Sequence, residues 1–574
     1  MMKQTKHIFL KLIALCSVLS VAFSAKADSD NDVVPPLDFD LCLAGNYGEL
    51  RPNHFHAGLD FKTQQSIGHP VHAFADGYVE RVGVNAYGYG LVLYVTHPHL
   101  ERMTVYAHLD TFNDEIWKKV RQRQVAEELN NPDLTFSPDE LPVKKGDIIA
   151  MSGNTGSSGG PHVHFEVRGL MSAPGADDEE WYDPMAYFID KIKDTTAPKI
   201  SNLYIYHEPN TAFTRHAQVL NRKANAWGKV GFGIKAYDYM DGQANKFGVK
   251  KVKLYCDDRL IYEWNQDFFQ YHEQRFTNSV IDYREFSTLR STIMKTFTEP
   301  CNKLRMIANE PGDGIVEIDE ERPYHFRYVL EDAHGNSSTL NFVVNGVRRE
   351  PAVHKLKGRL AKAGEVFRID TLGVHFHSPA GNLYTDADIA FDVTGQSADE
   401  PGHTSRFISP IYRIGSRDIP LHSFCDLEIS LPDSITSGSQ LYIANLDGGV
   451  YRGKFTPKQA IPFSKRTLPA TLTTKVRDFG RFTVRRDTEK PTATIVGHPT
   501  IGRISLRLSD IGSGVASWKV RIDGQFVPFD RNNRGVAIGH PNLFGIKPGI
   551  NHKIEIQVTD LAGNETIMNI EKRF

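Results

Sequence analysis

The sequence predicts a mainly β protein: an antiparallel β-sheet domain with one helical insertion, followed by three β-sandwich-type domains. Three observations carry this. Apolar and polar residues alternate over long stretches, the period of a strand with one buried face; Ile504, Leu506 and Leu508, then Trp518, Val520 and Ile522, then Ile554, Ile556 and Val558 are examples. Two distant segments begin alike, with Asp194-Thr195-Thr196-Ala197-Pro198 and Asp487-Thr488-Glu489-Lys490-Pro491, and end alike, with Asp332-Ala333-His334-Gly335-Asn336 and Asp560-Leu561-Ala562-Gly563-Asn564. Finally, 574 residues exceed what one hydrophobic core serves, which implies several domains of roughly 150 residues each.

Taken in chain order, residues 1–27 read as a secretory signal peptide. Lys3, Lys6 and Lys11 precede or interrupt an apolar run from Leu12 to Ala25, and the small residues Ala25 and Ala27 follow. The run is shorter than the roughly 20 residues a membrane span needs, so no retained transmembrane segment is expected, and the expected location is the periplasm or cell envelope. Lys+Arg 67 against Asp+Glu 69 supplies no basic excess to hold nucleic acid or an anionic membrane. Residues 28–193 form the first domain, with a core of about 42–170. Tyr78 to Val82, Leu91 to Val95, Met103 to Leu109 and Val163 to Val167 read as its strands, separated by Gly-rich turns. Phe112, Ile116, Val120 and Gln124 have helical spacing instead, placing a helix at Asp114 to Leu129 within an insertion of about 112–140.

The two matching segments set the remaining boundaries at 194–347 and 487–574, with a β-rich domain of unread role at 348–486 between them. By their Asp-Thr-x-x-Pro openings and Asp-x-x-Gly-Asn endings the two resemble bacterial immunoglobulin-like β-sandwiches. After signal cleavage four cysteines remain, and no CxxC pair is among them. Cys256 and Cys301 fall in one domain and are the one pair considered for a disulfide; small buried thiols are the alternative.

The chemistry concentrates in the first domain. Three short motifs gather zinc-type ligands: His56-Ala57-Gly58-Leu59-Asp60, Tyr106-Ala107-His108-Leu109 and His162-Val163-His164-Phe165-Glu166. Residues two apart on a strand share a face, so His162 and His164 point one way while Val163, Phe165 and Val167 face the core. The same parity places Tyr106 and His108 together, opposite Val105 and Ala107. A catalytic zinc commonly takes three protein nitrogen or oxygen ligands and leaves a fourth position to water, a need that one Asp and two His meet. Of the other histidines, His54 is a candidate for a supporting or substrate contact, His97 and His99 read as a hairpin turn, and His69 and His72 read as structural. Tyr106 is either a hydrogen-bond donor at the site or a packing residue.

Over roughly Leu50 to Arg168 the chain resembles the lysostaphin-type, LytM-like zinc endopeptidases that cut peptide cross-links in bacterial cell walls. Besides the three motifs, the resemblance includes Gly68-His69-Pro70-Val71, Ala75-Asp76-Gly77, Lys145-Gly146-Asp147 and Ser152-Gly153-Asn154-Thr155-Gly156. It implies one Zn2+ per chain on His56, Asp60 and His164, with His108 and His162 as catalytic residues flanking water and substrate. One of these two histidines then takes the water's proton and the other steadies the developing charge, in an order left open. The implied substrate is peptidoglycan stem peptide or cross-link, and the C-terminal β-domains are candidates for docking an envelope protein. The alternatives are a non-catalytic wall-binding regulator, a zinc endopeptidase with a protein substrate, and an adhesion scaffold.

Overall fold

The computed structural model describes residues 32–574 except 173–177, 215–216, 309–311, 351, 372, 396–405 and 461–466. The predicted signal peptide lies outside the described residues. Seven strands frame the first domain: β1 (Leu43–Gly45), β2 (Leu59–Lys62), β3 (Gly77–Val84), β4 (Leu91–His97), β5 (Arg102–Leu109), β6 (Asp133–Thr135) and β7 (His162–Gly169). They are antiparallel, in the order β1-β2-β7-β5-β4-β3-β6. Alternation decides the two faces. Phe61, Tyr106, Val163, Phe165 and Val167 enter the large core, whereas Val92, Tyr94, Met103, Val105 and Ala107 form a small separate cluster on the opposite face. His164 pairs across the ladder with Ala107 and therefore belongs to that second face.

The expected helix is present as α1 (Asp114–Glu127). Asn113 caps it, its side chain accepting a hydrogen bond from the Ile116 amide at 3.0 Å, and Ile116, Val120 and Gln124 are its buried face. The helix ends where Glu128 turns into the left-handed region, its amide donating to the Gln124 carbonyl.

The sheet does not stop at the first domain. Beyond β7 it adds β8 (Glu180–Tyr182) and then β9 (Phe268–Gln270), a strand that belongs to the second domain. The aromatic rings of Tyr47, Phe55, Trp181 and Phe269 pack across this junction at centroid distances of 5.3–5.5 Å. One hydrophobic core consequently runs through both domains and takes in Tyr384 of the third, while the third and fourth domains each have a core of their own.

The second domain packs two five-stranded sheets face to face, with Phe232 of one sheet against Phe326 and Phe342 of the other. It also carries the short helices Thr277–Val280 and Tyr283–Leu289, which alternation did not reveal. The third domain pairs a five-stranded with a six-stranded sheet, and the fourth pairs two of four strands. Cys256 and Cys301, considered for a bridge, are both free thiols. No helix among the described residues is long and apolar enough to cross a membrane.

The last domain folds back onto the first. Asn130 donates to the Trp518 carbonyl at 2.6 Å and accepts from the Phe529 amide, Glu128 pairs with Lys519 and Arg521, and Asn533 donates to the Gly156 carbonyl at 2.7 Å.

The shared core makes a specific claim about stability. Phe269→Ala, although outside the first domain, is expected to destabilise it by about 3–5 kcal/mol, read as an earlier tryptophan-fluorescence transition in guanidinium. An unshifted transition would mean that the two domains fold independently.

Candidate metal centre

Three motifs meet on the second face of the sheet. His56 lies just before β2 and Asp60 within it, His164 lies on β7, and β2 and β7 are adjacent with His164 paired to Asp60. Gly58 permits the approach: a Cβ there would stand 2.1 Å from the Phe165 carbonyl oxygen. The result is a buried trio in which His56 Nε2 is 2.9 Å from Asp60 Oδ1, His164 Nδ1 is 2.8 Å from the same oxygen, and the two imidazole nitrogens are 2.9 Å apart.

The outward sides of these groups decide what the inward sides are. His56 Nδ1–H donates to the Asn46 carbonyl at 2.6 Å, and His164 Nε2–H donates to Glu166 Oε1 at 2.7 Å. A neutral imidazole has one N–H, so both inward nitrogens present lone pairs. Arg51 holds Asp60 Oδ2 at 3.2 Å, leaving Oδ1 to face the two nitrogens. Three acceptors thus converge on one point, an arrangement that calls for a cation. His56, Asp60 and His164 fit a zinc ion by donor type and number, with the outer hydrogen bonds that metal-binding imidazoles use.

The protonation balance points the same way. Burial opposes charge on Asp60, but the three surrounding imidazoles outweigh it and hold the carboxyl well below the usual range. Burial likewise opposes charge on His164, yet its hydrogen bonds to Asp60 and Glu166 bring it up to about 9, so at neutral pH its inward nitrogen holds a proton that a binding metal displaces. Glu166, fully buried, is held down to about 2 because Arg168 and His164 overcome desolvation. Two carboxylates here stabilise positive charge at the imidazole, whether a proton or a metal supplies it.

His108 and His162 stand beside the trio, their rings 4.7 Å apart. His162 Nδ1–H donates to the Gly160 carbonyl at 2.8 Å and its Nε2 lies 3.5 Å from Asp60 Oδ1. His108 Nδ1–H donates to the Thr155 carbonyl at 2.9 Å. In its neutral form each ring has its lone pair on Nε2. Burial, reinforced by the neighbouring His164 and His162, lowers His108 to about 3, so it is neutral at pH 7.

Parity did not place His108 correctly. Strict alternation puts it on the face of Tyr106, but Tyr106 is wholly in the core, where its hydroxyl accepts from the Phe74 amide at 2.8 Å. The ladder between β4 and β5 skips a residue, pairing Leu91 with Leu109 and Leu93 with Tyr106, and His108 takes φ +59°. This bulge turns the histidine through the sheet to the metal face, at the cost of a left-handed backbone in a non-glycine residue.

The remaining histidines stand outside the trio, His54 within electrostatic reach of His56 and His164. His54 is exposed and bonded to the Pro52 carbonyl, His97 is buried between the Asp76 carbonyl and Thr104, His99 is exposed, and His72 pairs with Asp38. Glu166, Arg168 and Tyr89 were missed as a supporting group. Tyr89 donates to Glu166 at 2.5 Å, and Arg168 bonds Glu166 and lies 4.1 Å from the Trp181 ring centre. The parity that aligned His162 with His164 continues through Glu166 and Arg168, and was the available signal.

A β-sheet domain with two buried His, one buried Asp and two flanking imidazoles has the make-up of a metallopeptidase. Residues 54–139 match the model of Peptidase family M23. Residues 359–487 match the model of the Zu5-like domain. A Haemophilus influenzae protein described as an uncharacterized metalloprotease is 40% identical over 121 residues, which are 21% of this chain and 19% of that protein. The DD-carboxypeptidase/endopeptidase Mpg of Neisseria meningitidis serogroup B is 33% identical over 113 residues, 20% of each chain. The catalytic domain of lysostaphin from Staphylococcus simulans is 25% identical, covering 25% of this chain and 89% of that one at a TM-score of 0.18. The match thus spans about a fifth of the length of these two curated relatives.

Glu166 supports His164 from behind, and its removal should be felt at the metal. Glu166→Gln is expected to weaken zinc binding about 10–100-fold, measured by competition with a chromophoric chelator; unchanged affinity would assign Glu166 to folding alone.

Proposed function

We propose that this chain is an exported zinc endopeptidase that hydrolyses peptide bonds in peptidoglycan stem peptides or cross-links. The observation that carries the reading is the convergence of three lone-pair donors, His56 Nε2, Asp60 Oδ1 and His164 Nδ1, whose other polar atoms are engaged outward. The endopeptidase named among the relatives, and the resemblance to wall-cutting enzymes, supply the substrate class. When bound, a zinc ion supplies Lewis-acid chemistry and brings the pKa of a water molecule toward about 7.

The chain's own residues do the rest. His108 and His162 each offer Nε2 toward the space beside the trio, one to take a proton from the attacking water and one to hold the charge that grows on the carbonyl oxygen. Their outward N–H groups are fixed by carbonyls of the Thr155–Gly160 loop, so that loop sets the aim of both rings. A cavity of about 550 Å³, bordered by Trp117, Arg121, Asn154, Thr155 and Arg534, opens between α1, this loop and the last domain. On this reading the helical insertion acts as a substrate wall or lid beside this cavity, a role supported by the cavity's sharing Thr155 with the loop that aims His108.

Digestion of muropeptide-defined peptidoglycan by the full chain, read by mass spectrometry with and without chelator, tests the reading. Chelator-sensitive conversion of cross-linked dimers to monomers is expected, and absence of conversion by a zinc-loaded chain would overturn it. The proposed division of roles has its own signature. Asp60→Ala and His164→Ala are expected to lose zinc and activity together, whereas His108→Ala and His162→Ala should keep zinc and lose at least about 100-fold in rate. Equal zinc loss in all four, measured by elemental analysis, would contradict that division.

A further inference from the structure

The cavity between α1 and the last domain is lined by four arginines, Arg121, Arg503, Arg531 and Arg534, against two acids, Asp110 and Asp530. Desolvation raises both acids above their ordinary values, Asp530 to about 7, so at neutral pH the walls carry an excess of positive charge. That charge comes from both sides. Arg121 stands on α1 of the first domain, and Arg531 ends the strand Phe529–Arg531 of the fourth.

These two arginines are held in place but not satisfied. Arg121 lies 5.0 Å from the centre of the Trp117 ring, and Arg531 lies 5.7 Å from that of Trp518. Both rings are fixed in turn, Trp117 Nε1 donating to Thr111 Oγ1 at 2.7 Å and Trp518 Nε1 to the Phe529 carbonyl at 2.9 Å. A guanidinium laid over an aromatic ring is oriented in advance and keeps its fork of N–H donors for a planar anion. Neither guanidinium is bonded to a carboxylate among the described residues. Arg531 Nε is a buried donor without an acceptor, and so is Asn131 Nδ2, whose residue lines the same cavity. Two such donors on one wall are costly unless an acceptor from outside completes them.

The cavity also reaches the loop that aims the two flanking histidines. Thr155 and Ser158 line it; the Thr155 carbonyl accepts from His108 Nδ1–H at 2.9 Å, and Ser158 Oγ is 3.2 Å from His162 Nδ1. A peptide bound at the metal centre and extended past this loop enters the space between the arginines.

We propose that Arg121 and Arg531 form a carboxylate-binding subsite, which holds a free carboxylate of the peptide beyond the bond that is cut. The last domain then supplies part of the substrate cleft. Resting on the endopeptidase reading above, this adds the chemistry selected: an anionic peptide, whose carboxylate accepts charge-assisted hydrogen bonds from one arginine of each domain. A stem peptide offers at least its C-terminal carboxylate.

Calorimetric titration of the zinc-loaded full chain with a monomeric muropeptide, as the free acid and with its carboxylates amidated, tests this. The free acid is expected to bind about 10–100-fold more tightly, the effect of hydrogen bonds to a charged group. Arg121→Gln and Arg531→Gln, on opposite walls, are each expected to lose most of that preference. A variant that only loosens the domain contact weakens both ligands alike and keeps the preference. A preference kept in full by either variant, or absent from the parent, overturns the proposal. Cleavage is read separately, on cross-linked dimers. Carboxylate-dependent binding without cleavage would leave the subsite standing and remove the hydrolytic reading; cleavage without the preference would do the reverse.

Discussion

Everything in the metal centre depends on hydrogen bonds that face away from it. An imidazole with one N–H can offer its second nitrogen inward only if the first is engaged elsewhere. Here the Asn46 carbonyl, Glu166, the Gly160 carbonyl and the Thr155 carbonyl engage those N–H groups on four histidines. These outer partners come from different parts of the chain: the loop after β1, the end of β7 and the Gly-rich turn before it. The site is therefore a property of the whole sheet, and the Glu166–Arg168–Trp181 stack extends its support to β8.

The parts of this architecture that obey a period were legible in the sequence. Alternation through His162, Val163, His164 and Phe165 assigned both faces of β7, and helical spacing located α1 to within two residues of its end. Where a local device interrupts the period, the reading failed. His108 reaches the metal face only through a β-bulge and a positive φ, and neither leaves a mark in a Tyr-Ala-His-Leu string. The helices at Thr277–Val280 and Tyr283–Leu289 are too short for a periodic pattern to outweigh the strands around them. Glu166 was missed for another reason: its partner is a histidine two residues before it, and only the inward geometry of the trio gives that contact a meaning.

Contacts between domains were beyond any periodic reading, because they join residues hundreds of positions apart. The turn that aims His108 and His162 also receives Asn533 from the last domain, and α1, whose buried face rests on the first domain, receives Trp518 and Phe529 through Asn130. Half-buried Asp530, next to Gln124 of α1, is pushed up to about 7 by desolvation, which the Gln124 hydrogen bond and the Arg121 charge only partly offset. The first and last domains are thereby brought to one cleft, and the two domains between them bridge the distance.

The strand Phe268–Gln270 deserves to be seen as a matter of portability. A catalytic module is easy to move between proteins when its sheet ends in covered or charged edges. In this chain β8 is completed by a strand supplied from more than 80 residues downstream, and the same strand delivers Phe269 to the rings of Tyr47, Phe55 and Trp181. The smallest piece that keeps its hydrogen-bonded edge and its core is thus the first domain plus the first sandwich, and recombination of this chain with other tails has its natural joint after residue 346, where the second domain's last strand ends.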